Sequence, residues 1–347
     1  MVHPEVAYLN FTQAQSQAVA ITSRTIAESG GPEAKGATLL ARTSAERLKC
    51  TLSVEQQTIL QKFADGQLSA VMFKQMHCLD DDPIPEQLPE LPTLAHSARC
   101  LYLASRNQLL LELVQHRAFA FDIDNEGRQI RLVGNFKGGG SVPRPDEIAG
   151  ADVETSSHAG LRLGPHTEAP YNCSTTASTD HSPAPSALIL TARWNPAAEH
   201  TCVFPVRDIL ERLSNLDVLA LTSASFDFTR SDCFAEGLGS AGQAVSMLQF
   251  EANGGFSLRY NSYRFAINDQ ASSAAARAFD NFQRAVNDTP PLMFVLQPDC
   301  ALLINNSRAM HGRDTVRDNR RLLIRQFAYS PFAAPLVLAE DPLLVRG

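Results

Sequence analysis

The stretch GPHTEAPY, residues 164–171, decides how the rest of the chain is interpreted. Side chains alternate across a β-strand, so His166 and Glu168 point to the same face if this stretch is extended. A second stretch, NNSRAMHGR at 305–313, supplies another imidazole in His311. Two histidines and one carboxylate form the facial set that holds non-haem Fe(II) and leaves open positions for a cosubstrate and O2.

A His-x-acid triplet is a weak signal by itself. With 9 histidines and 37 acidic residues in 347, chance alone gives about one such triplet, and HPE at 3–5 is a second example. The triplet at 3–5 stands beside a proline at the start of the chain. What distinguishes His166 and Glu168 is the pattern found further along the chain.

That pattern consists of two apolar runs that are typical of strands. The run at 301–304 leads into His311, and the run at 322–329 contains Arg325, fourteen residues after that histidine. A guanidinium is always charged and presents a bidentate fork, which suits a dicarboxylate cosubstrate bound near the metal.

The order and spacing of HTE, the histidine in NNSRAMHGR and the arginine in RRLLIRQF resemble the clavaminate synthase-like branch of the Fe(II)/2-oxoglutarate-dependent oxygenases. This branch includes free-arginine and free-asparagine hydroxylases. The resemblance implies an α+β, mainly β fold with a double-stranded β-helix (jelly-roll) core. It implies iron bound by His166, Glu168 and His311, with 2-oxoglutarate and O2 as cosubstrates. It also implies hydroxylation of an unactivated C–H bond, with release of succinate and CO2.

The resemblance further assigns residues to the cosubstrate. Arg325 would bind the C5 carboxylate of 2-oxoglutarate, with help from the hydroxyl of Thr201. Arg321, four residues before Arg325, shares its face in an unbroken strand and is a further candidate, with a solvated or salt-bridged arginine as the ordinary alternative. Asn305 or Asn306 would fix the turn or the orientation of His311.

Substrate contacts follow from the same resemblance. Ser156 and Tyr171 match substrate-contact positions of the family, whereas the family's second arginine, four residues beyond Arg325, is Tyr329 here. The expected lid, SLRYNSYRFAIND at 257–269, offers Asn261 and Arg264 where relatives carry acidic residues. Phe136, with the two tyrosines, would line an apolar pocket or belong to the core. The altered clamp favours an amide, a modified or peptide-linked amino acid, or a neutral natural-product intermediate as substrate.

Three alternatives stay open. The same cofactors would support desaturation or cyclisation, because these reactions begin with the same hydrogen abstraction. A non-catalytic jelly-roll binding protein would keep the fold without the reaction. A zinc hydrolase would use two histidines and an acid, but it gives no reason for Arg325 at its spacing.

Composition limits the class of protein. A chain of 347 residues, 44% hydrophobic and 19% charged, is an ordinary globular chain with a large core. A net charge of -7 without a run of lysine or arginine favours a small-molecule partner over nucleic acid or a membrane. Seven cysteines without a C-x-x-C pair, and no apparent signal peptide, predict a cytoplasmic protein. The oligomeric state stays open.

We expect a single oxygenase domain over 1–347, made of a helical region at 1–92, a jelly-roll core at 93–330 with a lid insert around 225–290, and a tail at 331–347. Helical spacing predicts helices within 10–65, at 205–213 and at 272–286. The acidic, proline-rich segment 80–92 predicts a surface connection. Short apolar runs predict strands at 109–114, 129–133, 187–194, 218–222, 247–250, 256–260, 293–296, 301–304 and 322–329.

Overall fold

The structure is a computed structural model that describes residues 3–78, 82–134, 162–168, 181–229, 242–250 and 256–347. Within these ranges the helices are α1 (Gln13–Glu28), α2 (Ala37–Lys49), α3 (Val54–Ala64), α4 (Leu91–Ala95), α5 (Ala98–Leu113), α6 (Val206–Leu210), α7 (Asn215–Ala220) and α8 (Ser273–Asp288). The strands are β1 (Val6–Asn10), β2 (Ala70–Lys74), β3 (Arg117–Phe121), β4 (Arg131–Gly134), β5 (Leu163–His166), β6 (Ala187–Trp194), β7 (His200–Pro205), β8 (Phe226–Phe228), β9 (Gly242–Val245), β10 (Leu248–Phe250), β11 (Phe256–Leu258), β12 (Phe265–Ile267), β13 (Leu292–Val295), β14 (Ala301–Asn305), β15 (Ala309–Arg313), β16 (Leu322–Tyr329), β17 (Val337–Glu340) and β18 (Leu343–Val345).

Two sheets carry the architecture. The larger sheet has the order β1-β2-β14-β6-β16-β3-β18-β17, with β4 also pairing with β16, and the smaller has the order β13-β7-β15-β5. The main hydrophobic core contains side chains of both sheets, including Leu190 and Leu323 from the larger and Val203 and Phe294 from the smaller. The space between the two sheets is therefore where inward-facing polar side chains from both can meet.

Strand β6 shows how the layers are built. All eight of its residues are buried, because one face lies in the core between the sheets and the other lies under the helices. Leu188 and Leu190 belong to the first core, whereas Ala187 and Ile189 pack with residues of the helical layer. This alternation is the period of two that an antiparallel strand imposes.

The N-terminal helices cover the outer face of the larger sheet. Helices α1 and α2 pack on α5, and α5 packs on β6 and β16. Thr12 and Ser53 begin α1 and α3 with capping boxes, which satisfy N–H groups that have no partner within the helix. The predicted helices within 10–65 are confirmed. The flanking strands β1 and β2 were not predicted; they pair in parallel and extend the sheet through β14.

Two predicted strands are wrong. Residues 109–113 form the end of α5, which is buried over nearly all of its second half and therefore lacks an amphipathic period. Residues 218–220 belong to α7, where Ser214 caps the helix by accepting a hydrogen bond from the N–H of Asp217. Short apolar runs do not distinguish a strand from a buried helix segment.

Other predictions match the structure closely. The runs at 187–194 and 322–329 coincide with β6 and β16, and helix α8 begins after Ser272, whose hydroxyl accepts from the N–H of Ala275. Residues 82–90 form neither helix nor strand. This segment is fastened to β6, because Asp82 accepts two hydrogen bonds from Arg193 at 2.8 and 3.0 Å. No helix within the described ranges is long and apolar enough to cross a bilayer.

Candidate metal centre and its arginines

The two histidines meet across a strand pair of the smaller sheet. Strands β5 and β15 are antiparallel, and His166 lies directly opposite His311 in their register. Directly paired residues share a face, so both imidazoles are buried side by side, with ring centroids 4.2 Å apart. Gly312 permits this approach, since a Cβ there would lie 2.6 Å from the carbonyl oxygen of Leu163.

Glu168 lies just beyond the end of β5, so the strand itself carries only the first of the two expected ligands. The amide of Asn306 fixes the backbone of Glu168 from both sides. Its Oδ1 accepts from the Glu168 N–H at 2.9 Å, and its Nδ2 donates to the Glu168 carbonyl at 3.2 Å. Asn305 instead fixes the turn before β15 by accepting from the N–H of Ser307 at 3.0 Å.

The three side chains converge on one point. Ligand atoms of His166, Glu168 and His311 all lie within 4.8 Å of one another. No other trio of histidine, cysteine or acidic side chains converges in this way in the part of the chain that the structure describes. The donor set of two imidazoles and one carboxylate, without a thiolate, is the set that Fe(II) takes in facial sites.

Local contacts orient the imidazole of His166. Its Nδ1 lies 2.9 Å from the carbonyl oxygen of Gly164, which can only accept a hydrogen bond. This contact assigns the proton to Nδ1 and leaves the lone pair of Nε2 for a metal, as in most histidine metal sites. The Nε2 of His311 lies 3.4 Å from Oε1 of Glu168, so it also points toward the centre.

Protonation states in the centre also suit a metal. Burial, reinforced by the neighbouring His311, lowers the pKa of His166 to about 3, so its imidazole is neutral at physiological pH. Burial alone would raise the pKa of Glu168, but the guanidinium of Arg325 and the two histidines outweigh it and hold that pKa well below its usual range. Neutral imidazoles and an ionised carboxylate are the forms that bind metal ions.

Arg325 lies between two carboxylates. Its Nη1 donates to Oε1 of Glu168 at 2.7 Å, and its Nη2 is 3.4 Å from Oδ2 of Asp124. The guanidinium also lies over the ring of Phe327, 4.0 Å from its centroid. Arg131 forms an ion pair with the other oxygen of Asp124, and it stands opposite Arg325 in the register of β4 and β16.

Arg321 has different surroundings. It is buried just before β16, its Nη2 donates to the hydroxyl of Thr201 at 3.3 Å, and its Nε is 3.6 Å from Oε2 of Glu199. Thr201 lies two residues before Val203, which pairs with His311, so Thr201 shares the face of the metal ligands. The hydroxyl expected to assist Arg325 is therefore bonded to Arg321, and Arg321 is a buried, salt-bridged arginine and not a solvated one.

Arg313 brings a second positive charge close to Arg321. It lies on β15 two residues after His311 and is buried. Burial and the charge of Arg321 lower the pKa of Arg313 to about 10, which leaves it protonated at neutral pH. Glu199 is partly committed elsewhere, because its Oε1 accepts backbone N–H groups of the turn before β16, including that of Asp318 at 3.0 Å.

Candidate substrate residues fall into three groups. Asn261 forms an isolated antiparallel bridge with His166, and Arg264 lies half-buried in the turn that precedes β12. Tyr329 is buried in the core, where its ring stacks on Phe119 and its hydroxyl donates to the carbonyl of Pro183 at 2.6 Å. The other candidates lie outside the described residues: Ser156, Tyr171 and Phe136.

Three charged residues of the site were not predicted from the sequence. Strand alternation from His311 would have identified Arg313, because the two are separated by one residue. Asp124 and Glu199 carry no such signal, since each follows or precedes a strand far from the ligands along the chain and reaches them only through the pairing of strands.

No family model and no curated protein sequence matches this chain. Solved structures do. An asparagine oxygenase in complex with Fe(II), 2S,3S-3-hydroxyasparagine and succinate superposes with a TM-score of 0.71 at 18% identity, covering 98% of this chain and 99% of that chain. The non-haem iron oxygenase OrfP with Fe, succinate and (3S)-hydroxy-L-Arg gives a TM-score of 0.64 at 20% identity, covering 92% and 93%. OrfP with Fe and alpha-ketoglutaric acid gives 0.64 at 21% identity, covering 93% and 94%. The chain therefore has the fold of these iron-containing oxygenases.

Proposed function

We propose that this protein is an Fe(II)/2-oxoglutarate-dependent oxygenase that hydroxylates a C–H bond of a small, amino-acid-derived molecule. The observation that carries the proposal is the convergence of His166, Glu168 and His311 within 4.8 Å in the space between two sheets. The fold is that of structures that contain Fe, succinate and hydroxylated amino acids. On this reading the two sheets form a jelly roll within a single domain, and residues 225–290 include its lid.

The residues present fit the metal. The imidazoles of His166 and His311 and the carboxylate of Glu168 would hold Fe(II), with Nε2 of His166 turned inward by the contact of its Nδ1 with Gly164. When bound, Fe(II) supplies the oxidation in which R–H, 2-oxoglutarate and O2 give R–OH, succinate and CO2, with one oxygen atom entering each of the first two products. The protein orients the ligands, excludes water and places the substrate.

The cosubstrate needs a positive partner for its distal carboxylate, and Arg321 suits it better than Arg325. Arg321 is buried beside the hydroxyl of Thr201, and its one carboxylate neighbour, Oε2 of Glu199, lies 3.6 Å from its Nε, beyond hydrogen-bond distance. Arg325 already forms ion pairs with two carboxylates, those of Glu168 and Asp124. A carboxylate at this position would accept charge-assisted hydrogen bonds from Arg321 and a hydrogen bond from the hydroxyl of Thr201. The positive charge of Arg313 would add to the attraction.

The substrate would approach the ligands from the side of the 257–269 segment. Asn261 supports this placement because it pairs with His166, and Arg264 follows three residues later. Ser156, Tyr171 and Phe136 remain candidate contacts from the sequence, whereas Tyr329 belongs to the hydrophobic core. The hydroxylated asparagine and arginine in the similar structures support an amino-acid-derived substrate, which includes the free amino acids as well as their amides and peptides.

The test is succinate formation from 2-oxoglutarate in air with added Fe(II) and ascorbate, in the presence of a panel of free amino acids, amino-acid amides and small dipeptides. Mass spectrometry of each mixture distinguishes hydroxylation, at about +16 Da, from desaturation or cyclisation, at about -2 Da. We expect a +16 product and no product from His311→Ala. Absence of succinate with metal shown to be bound would overturn the proposal in favour of a zinc hydrolase or a binding protein.

A further inference from the structure

We infer that Asp124 is a positioning residue for the metal-binding carboxylate, because Asp124 holds Arg325 and Arg325 in turn holds Glu168. This inference rests on the proposed iron site and adds residues from outside the ligand motif. Asp124 is expected to act on metal affinity without contacting the metal.

The geometry is a row of alternating charges. Glu168 accepts from Nη1 of Arg325 at 2.7 Å, Nη2 of Arg325 lies 3.4 Å from Oδ2 of Asp124, and Oδ1 of Asp124 is paired with Arg131. Their side chains are only 15%, 12%, 10% and 13% exposed, in that order. Ion pairs so far removed from water act on one another more strongly than surface pairs do.

The backbone fixes Asp124 firmly enough for it to serve as an anchor. Asp124 begins a tight turn in which its carbonyl accepts from the N–H of Gly127 at 3.0 Å. The next three residues, Asn125, Glu126 and Gly127, all have positive φ angles, of 51, 57 and 71°. The side-chain amide of Asn125 donates to the carbonyls of Arg128 and Ile130, both at 2.9 Å, and closes the turn.

Two effects of Asp124 favour metal binding, and both act through Arg325. First, Asp124 anchors one end of the guanidinium, which keeps the other end, and hence the Glu168 carboxylate, in one orientation. Second, Asp124 shares the positive charge of Arg325. Without it, Glu168 would be the only acidic partner of Arg325 among the described residues, and that ion pair would compete more strongly with a metal for the carboxylate.

The direct test is titration of the metal-free protein with Mn(II), without oxygen, by calorimetry. Asp124→Asn removes the charge and keeps the shape of the side chain, and we expect its Mn(II) affinity to fall by about 10–100-fold, the usual effect of losing a partner of a metal ligand. Arg128→Gln is the matched control. Arg128 lines the same small pocket as Asp124 but pairs with Glu33, so its affinity should stay within about twofold of the wild type.

A double-variant comparison separates positioning from a general loss of stability. If Asp124 acts through Arg325, then Asp124→Asn added to Arg325→Met should leave the Mn(II) affinity at the value of Arg325→Met alone. This pair of variants also serves if Asp124→Asn alone does not fold, because Arg325→Met removes one of the two guanidinium groups that lose the Asp124 carboxylate.

The outcomes distinguish this inference from the proposed function. Wild-type affinity in a folded Asp124→Asn protein would overturn the positioning role and leave the iron site in place. An additional loss in the double variant would also overturn it, since Asp124 would then act by another route. If the wild-type protein binds neither Mn(II) nor Fe(II), the proposed function itself fails.

Discussion

Arg321 and Arg325 stand four residues apart on the same stretch of chain, yet their surroundings differ in kind. Arg321 has a hydroxyl at 3.3 Å and a single carboxylate at 3.6 Å. Arg325 lies between two carboxylates and over an aromatic ring. In the proposed site, partners from distant strands, and not the position along the chain, decide which guanidinium would bind the carboxylate of the cosubstrate.

The largest expected effect on the affinity for 2-oxoglutarate is at Arg321. Arg321→Met should weaken the apparent affinity for 2-oxoglutarate by about 100-fold, because roughly 3 kcal/mol of charge-assisted hydrogen bonding to the distal carboxylate is lost. Succinate formation measured against 2-oxoglutarate concentration gives this value. Mn(II) affinity in the same variant should stay unchanged. A loss of both affinities would contradict the proposal that the metal and the distal carboxylate are bound by different residues.

The next effect belongs to the Glu168 side of the site. Asn306→Ala removes the amide that holds the Glu168 backbone, so Mn(II) affinity should fall by about tenfold. The carbonyls of Glu168 and Pro185 lose their donor as well, which should cost about 1–3 kcal/mol in the free energy of unfolding. Asn305→Ala is the control, because its side chain holds only the turn. An equal loss of metal affinity in both variants would count against the role of Asn306.

Thr201→Val is a smaller, isosteric change at the Arg321 end. Loss of one hydroxyl hydrogen bond, worth about 1 kcal/mol, should weaken the apparent 2-oxoglutarate affinity by about fivefold. Thr201→Ser keeps the hydroxyl and should retain most of the wild-type affinity for 2-oxoglutarate. If Thr201→Val behaves as the wild type does, the hydroxyl does not touch the cosubstrate.

The smallest effect on the apparent affinity for 2-oxoglutarate is expected at Arg325. Arg325→Met should change the apparent 2-oxoglutarate affinity by less than about threefold when metal is saturating, since its guanidinium is already engaged by Glu168 and Asp124. The assay is the one used for Arg321→Met. A loss larger than that of Arg321→Met would reverse the comparison and return the cosubstrate to Arg325.

The sequence predicts which three side chains converge in the candidate metal centre, but it does not predict all of the charged residues around them. His166, Glu168 and His311 stand out because the chemistry of a facial metal site needs those residue types, and they meet in the structure. Counting fourteen residues from His311 favours Arg325 for the cosubstrate. The count cannot reveal that Thr201, 120 residues away from Arg321, bonds to that arginine instead.

The prediction of secondary structure from the sequence is limited in the same way. Strands β6 and β16 are long enough and apolar enough to be found from their residues alone. Residues 109–113 are equally apolar but belong to α5, because that helix is enclosed by other helices on one side and by the larger sheet on the other. Burial on all sides erases the periodicity on which such predictions depend. Asp124 is missed for a related reason, since its turn, between β3 and β4, reaches Arg325 only because both strands pair with β16.

The most direct measurement is a crystal structure of the protein grown without oxygen with Mn(II) and 2-oxoglutarate. We expect the metal on His166, Glu168 and His311, and the distal carboxylate of 2-oxoglutarate on Arg321 and Thr201. A distal carboxylate bound by Arg325 would contradict the division between the two arginines, and a metal held by other residues would contradict the proposed function.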